Sequence, residues 1–161
     1  MARTAIIGLT IATILVIAQA RVRRSEQPSS EARAVGALRA IVTAQLAYAA
    51  ANGGYAASLD ALAGSCEPGQ HGFISLGLTA DSGVGRTYFL RLQPGAPTPE
   101  HVDCLGNATT AAYYASAVPV QQGATPTRAF AVDQHAVIWY DTGGSVPTVP
   151  FRETATVRPL K

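Results

Sequence analysis

Charge is scarce in this chain: Asp, Glu, Lys and Arg make up 14% of its 161 residues, against 48% apolar residues. That balance excludes a disordered polyelectrolyte and a nucleic-acid binder built on a broad basic face. Even the formal excess of +2 is local. Arg3, Arg21, Arg23 and Arg24 stand against a single acid, Glu26, at the N-terminus, so the remaining chain is close to neutral. Histidine is limited to His71, His101 and His135, none with a partner at convincing metal-ligand spacing. His101-Val102-Asp103-Cys104 offers half a zinc site with no second half. Neither a Gly-x-Ser-x-Gly elbow nor a helical His-Glu-x-x-His occurs, and the glycines flanking Val84 and at Gly143-Gly144 lack phosphate-loop spacing. Asp81-Ser82-Gly83 and Asp141-Thr142-Gly143-Gly144 converge too few carboxylates for calcium and read as turns. The expectation is a protein with no catalysis, cofactor, metal or identified small-molecule substrate.

Two cysteines, Cys66 and Cys104, are 38 positions apart in polar, Gly/Pro-containing sequence. In an exported chain they read as one disulfide; in a cytoplasmic chain they would be free, buried thiols. Asn107-Ala108-Thr109 is a glycosylation sequon, relevant only in a host that uses that pathway.

One long apolar run is present. Ala5–Ala20 carries no charge and spans roughly 24 Å as a helix, which suits a short transmembrane anchor or a signal-peptide core. Arg3 before it and Ala18-Gln19-Ala20 at its end fit signal-peptidase cleavage ahead of Arg21. As an anchor, the basic Arg21–Arg24 flank would favour a cytoplasmic domain by charge bias alone, against an exported disulfide. Residues 1–27 are therefore read as anchor or signal segment, and 28–161 as one domain, the size that a single core supports.

Within that domain the spacing predicts a helix over about 29–52, with Val35, Leu38, Val42, Leu46 and Ala49 as its packing stripe and Ile41 and Tyr48 alongside. Glu31, Arg33, Arg39 and Gln45 fall mostly off it. Asn52-Gly53-Gly54 ends the helix, and Ser58 caps a short second one holding Leu59 and Leu62, within a loop region over 53–65. Between 72 and 141 the period changes. Runs at 72–75, 86–93, 112–120, 128–133 and 137–141, rich in Val, Tyr, Phe and Ile, read as strands of an antiparallel sheet of about four. Pro119 and the stretches 95–101 and 121–127 confine their neighbours to edges or loops, and 142–161 reads as an irregular or frayed tail. The fold class is α+β, an apolar N-terminal helix continuing into an amphipathic helix packed on the sheet. Tyr48, Tyr55, Tyr113, Tyr114, Trp139 and Tyr140 read as core or subunit contacts, with a ligand groove as the alternative.

Two stretches carry a resemblance. Ala34-Val35-Gly36-Ala37-Leu38-Arg39 leads through Ile41, Thr43, Ala44, Gln45 and Tyr48 to Gly53-Gly54-Tyr55, Ser58-Leu59 and Leu62. Further on, Thr127–Asp133 is followed by Val137-Ile138-Trp139-Tyr140. Over roughly 45 to 50 residues these resemble bacterial type IV pilin-like and type II secretion pseudopilin-like proteins. The resemblance implies a helix-plus-sheet head in the periplasm, an inner-membrane anchor, and other pilin-like subunits or secretion and pilus assembly proteins as partners, in the membrane or a surface filament. It also implies leader cleavage between Gly8 and Leu9, the nearest counterpart of the family's processing site. The sequence departs from the family where Thr13 stands in place of the glutamate of Phe-Thr-Leu-x-Glu, and where Ala136 replaces a hairpin glycine. The alternative reading is a secreted soluble binding domain released after Ala20.

Overall fold

The computed structural model describes residues 30–78, 87–120 and 128–161. The apolar run, the processing residues Gly8, Leu9, Ala18, Ala20 and Arg21, and Asp81–Gly83 lie outside the described residues. Helix α1 (Ser30–Asn52) is followed by a two-residue strand β1 (Tyr55–Ala56), a short helix α2 (Leu59–Ala63) and a 3₁₀ turn at Leu76–Leu78. Seven further strands complete the order: β2 (Tyr88–Pro94), β3 (Pro97–Val102), β4 (Ala108–Thr110), β5 (Tyr113–Pro119), β6 (Ala129–Asp133), β7 (Trp139–Asp141) and β8 (Val157–Pro159). They form two antiparallel sheets, β2-β5-β6-β7-β8 and a smaller β1-β4-β3. The class is α+β. Among the described residues the strands number five plus three, where the sequence led us to expect about four.

α1 is long and apolar enough to cross a membrane, yet one side of it is built into the core. Ala34, Ala37, Leu38, Ile41, Ala44 and Tyr48 are buried there, together with the polar Gln45. The alanines keep this face narrow, so the helix packs in one core with Tyr88 and Leu90 of β2, Tyr113, Ala115 and Ala117 of β5, and Phe130 and Val132 of β6. This corrects the expected stripe by about a third of a turn. Leu38 is fully buried, Val35 and Val42 sit half-buried at the margin, and Leu46 is 51% exposed. Apolar spacing alone does not distinguish these alternatives, because alanine fits either face and Gln45 was counted as polar.

Other boundaries moved for identifiable reasons. Residues 72–75 form a bend, not a strand: Phe73 and Ile74 both donate their backbone N–H to the Leu62 carbonyl, which turns the chain and buries Ile74. The proline-containing 97–102 segment takes the edge position that its prolines allow, as the outer strand of the small sheet, where a missing N–H costs no ladder bond. Val157–Pro159, expected to be irregular, pairs with β7 as the opposite edge of the large sheet. Gly53 ends α1 at φ 76, a left-handed conformation that favours glycine, and the exposed His101 ring lies beside it. The β6–β7 connection turns through Ala136 at φ 63, a conformation that glycine reaches with less strain.

Candidate functional site

Glu31, Gln45 and Tyr48 tether α1 to the rest of the domain. In the first described turn, Glu31 is buried at 8% exposure and takes both the Nε (3.0 Å) and Nη2 of Arg128, plus the Arg128 backbone N–H at 3.3 Å. The guanidinium also lies 4.9 Å from the Tyr140 ring and 5.8 Å from that of Phe130, a cation–π setting on both sides. The hydrogen bond to Glu31 holds the Arg128 pKa above its ordinary value, so this cation is permanent. Tyr88 closes the arrangement by donating to the Arg128 carbonyl at 2.8 Å. The first described turn of α1 is thereby pinned to the residue before β6.

In the middle of the helix, Gln45 donates from Nε2 to the Ala56 carbonyl (3.0 Å) and accepts the Ala56 N–H on Oε1 (2.8 Å). An amide side chain has the donor and acceptor geometry of a peptide group, so Gln45 serves β1 as a neighbouring strand would. β1 is bonded to β4 on its other side, through Tyr55↔Thr110 and Ala56↔Thr109. This role escaped the sequence reading. The available signal was a glutamine spaced four after Ile41 and three before Tyr48, inside an otherwise apolar face.

Near the end of the helix, the Tyr48 hydroxyl donates to Asp103 Oδ2 at 2.9 Å. Asp103 also accepts from the backbone N–H of Leu105 and Asn107 and from Asn107 Nδ2, closing the loop between β3 and β4 around one carboxylate. Burial alone would push its pKa up, but the bonds from Asn107, Tyr48 and Leu105 outweigh this and hold it below 3.8. A depressed folded-state pKa adds stability that is present above the unfolded carboxyl value and is lost as pH falls through the folded value. The melting temperature should therefore drop steeply below about pH 4, near the ordinary aspartate value. Asp103→Asn should lower the melting temperature at neutral pH and flatten its acid limb, measured by circular dichroism at a series of pH values. Asn107 is thus committed to Asp103, and Thr109 of the same sequon is fully buried.

The same loop is bonded covalently to the segment after α2. Cys66 and Cys104 form a disulfide, Cα–Cα 5.7 Å, with both residues exposed. Closing a 38-residue separation contributes roughly 3–4 kcal/mol in the chain-entropy view. Thiol titration of the denatured, unreduced protein should find no free sulfhydryl, and reduction should lower the melting temperature by several degrees; two reactive thiols would refute the bridge. Ser58 caps α2 as expected, accepting the Ala61 N–H at 3.0 Å.

Among the candidate ligand residues, His71, His101 and His135 are exposed and fall in three different loops or strands. Among the described residues no group of three or more His, Cys, Asp or Glu is placed to hold a metal ion. Asp141 Oδ1 accepts the Gly143 N–H at 2.7 Å, a turn bond. The aromatics divide. Tyr48 and Tyr113 are core residues, and Tyr55 stacks edge-on against Tyr113 at 5.1 Å. Tyr140 lies against Arg128, while Tyr114 and Trp139 meet Phe151 on the other face of the large sheet, at 6.2 and 5.5 Å. Beside that aromatic group is a groove of about 590 Å³, lined in part by Tyr114.

The solvent side of α1 is the other surface of note. Arg33, Gly36, Arg39, Thr43, Leu46 and Ala47 are exposed along it, and no atom lies within 4 Å of a Cβ placed on Gly36. Comparison with protein-family profiles, with curated proteins and with solved structures finds no match.

Proposed function

We propose that this chain is a structural subunit of the pilin-like or pseudopilin-like type in the bacterial cell envelope, anchored in the inner membrane by Ala5–Ala20, with its head in the periplasm and no catalytic role. The observation that carries this reading is the two-sided character of α1. It follows a basic-flanked apolar run in sequence, gives one face to an antiparallel sheet, and leaves Leu46 51% exposed on the other. The Cys66–Cys104 disulfide fits an oxidising compartment and thus an exported head. Association would run through the N-terminal helix. In lipid there is no hydrophobic drive between helices, so small residues such as Gly8, Ala12, Ala18 and Ala20 matter for close approach. A head-to-tail contact that does not close produces a filament.

The test is N-terminal sequencing of the mature protein combined with membrane fractionation. Cleavage between Gly8 and Leu9, or an intact N-terminus retained in the membrane, is expected. Release at Arg21 would instead establish the soluble, secreted binding domain. The groove beside Tyr114 is the feature that favours that second reading.

A further inference from the structure

The outer face of the large sheet, opposite α1, is only partly covered. The chain after β7 crosses it: Tyr114 donates its hydroxyl to the Pro147 carbonyl, and Phe151 stacks on Trp139. Between this strap and the edge strand β2 lies the groove of about 590 Å³, a size in the range of ligand sites. Its floor comes from adjacent strands in register, with Arg91 opposite Ser116 and Gln93 opposite Tyr114, which in turn faces Asp133. Val149, 53% exposed, contributes to the apolar side of the groove.

Two opposite charges line this groove without meeting. Arg91 makes no hydrogen bond or ion pair among the described residues. Asp133 is 8% exposed and uses only Oδ1, which accepts the His135 N–H at 3.0 Å; its second oxygen has no hydrogen-bond partner among the described residues. Their Cα positions are two strand spacings and one same-face step apart, roughly 12 Å from sheet geometry. The two charges do not meet as an ion pair, so an occupant that pairs with both has to carry a charge of each sign. An extended chain, advancing about 3.3 Å per residue, reaches from one to the other in three to four residues.

We propose that this groove binds an extended peptide that carries a carboxylate toward Arg91 and, three or four residues away, a cation toward Asp133, with its intervening side chains against Tyr114 and Val149. Charge complementarity selects this occupant, because a neutral or singly charged segment leaves one of the two groups unpaired. The proposal is independent of how the N-terminus is processed.

The experiment measures binding of fluorescently labelled, end-blocked hexapeptides to the full chain by anisotropy. Each carries Asp and Lys separated by two small apolar residues, in both orders, with Asn and Gln in their place as the control. One Asp/Lys order should bind at least tenfold more tightly than the Asn/Gln control. Arg91→Glu should remove at least tenfold of that affinity while leaving the melting temperature unchanged, since Arg91 is exposed and unpaired. Asp133→Asn, which keeps an acceptor for His135, should weaken binding as well. Equal binding of the neutral control, no binding of either order at millimolar peptide, or indifference to Arg91→Glu would overturn the proposal. Self-association of the chain that is lost in Arg91→Glu would overturn it in favour of a second copy as the occupant.

Discussion

Leu38→Asp is expected to unfold the head, whereas Leu46→Asp, eight residues further along the same helix, should leave its stability nearly unchanged. Leu38 is fully buried in the core shared with Tyr88, Leu90 and Phe130. An aspartate there loses the burial of the leucine and leaves a carboxylate without a partner, a change of about 3–5 kcal/mol or more. Small domains hold only about 5–15 kcal/mol in total, so a loss of this size takes a large share of it and should unfold the head or lower its melting temperature by roughly 10 °C or more. Leu46 is half in solvent, where a polar replacement changes stability by only about 0.5 kcal/mol. Thermal melts by circular dichroism check both. Equal effects would mean that the helix is rotated relative to the sheet. The pair also bears on function: if subunits associate along the solvent side of α1, chemical cross-linking of the membrane fraction should give fewer multimers for Leu46→Asp while its melting temperature stays within a degree or two. Unchanged cross-linking would place any subunit contact elsewhere.

The second large effect is expected at Gln45. Gln45→Met preserves volume and flexibility but strands both the N–H and the C=O of Ala56, which is itself fully buried. Each buried group without a partner costs about 1–3 kcal/mol, so the variant should lose roughly 2–5 kcal/mol in urea denaturation. Amide exchange separates this from a general packing defect. The Ala56 N–H should exchange much faster in the variant, while amides in β5 and β6 should change only in proportion to the global loss. A stability change under about 0.5 kcal/mol, on the order of an exposed-site substitution, would show that water replaces Gln45 without penalty.

Much of the architecture was legible along the chain because it rests on local chemistry. The Asn52-Gly53-Gly54 stop and the Ser58 cap each depend on a few neighbouring residues, and each lies where those residues indicate. The fully buried β6 was recognisable too, as a short apolar run, Ala129–Val132, bounded by Arg128 and Asp133. The segments misread were those whose state is decided by distant partners. Val157–Pro159 is a strand only because β7 has an open edge for it. Residues 72–75 have strand composition but no ladder to join, since the Leu62 carbonyl captures their N–H groups.

The sequence by itself determined the class of fold, the C-terminal end of α1 and the capped start of α2, because propensity, capping and turn geometry act over a few residues. Only the tertiary structure decided which side of α1 is buried. Ala34, Ala37 and Ala44 could line either face, and the choice followed from contacts far along the chain: Glu31 to Arg128, Gln45 to Ala56 and Tyr48 to Asp103. It likewise decided that Arg91 and Asp133 share one groove without touching, since a charge becomes part of a site only when strand register and an overlying strap set what surrounds it.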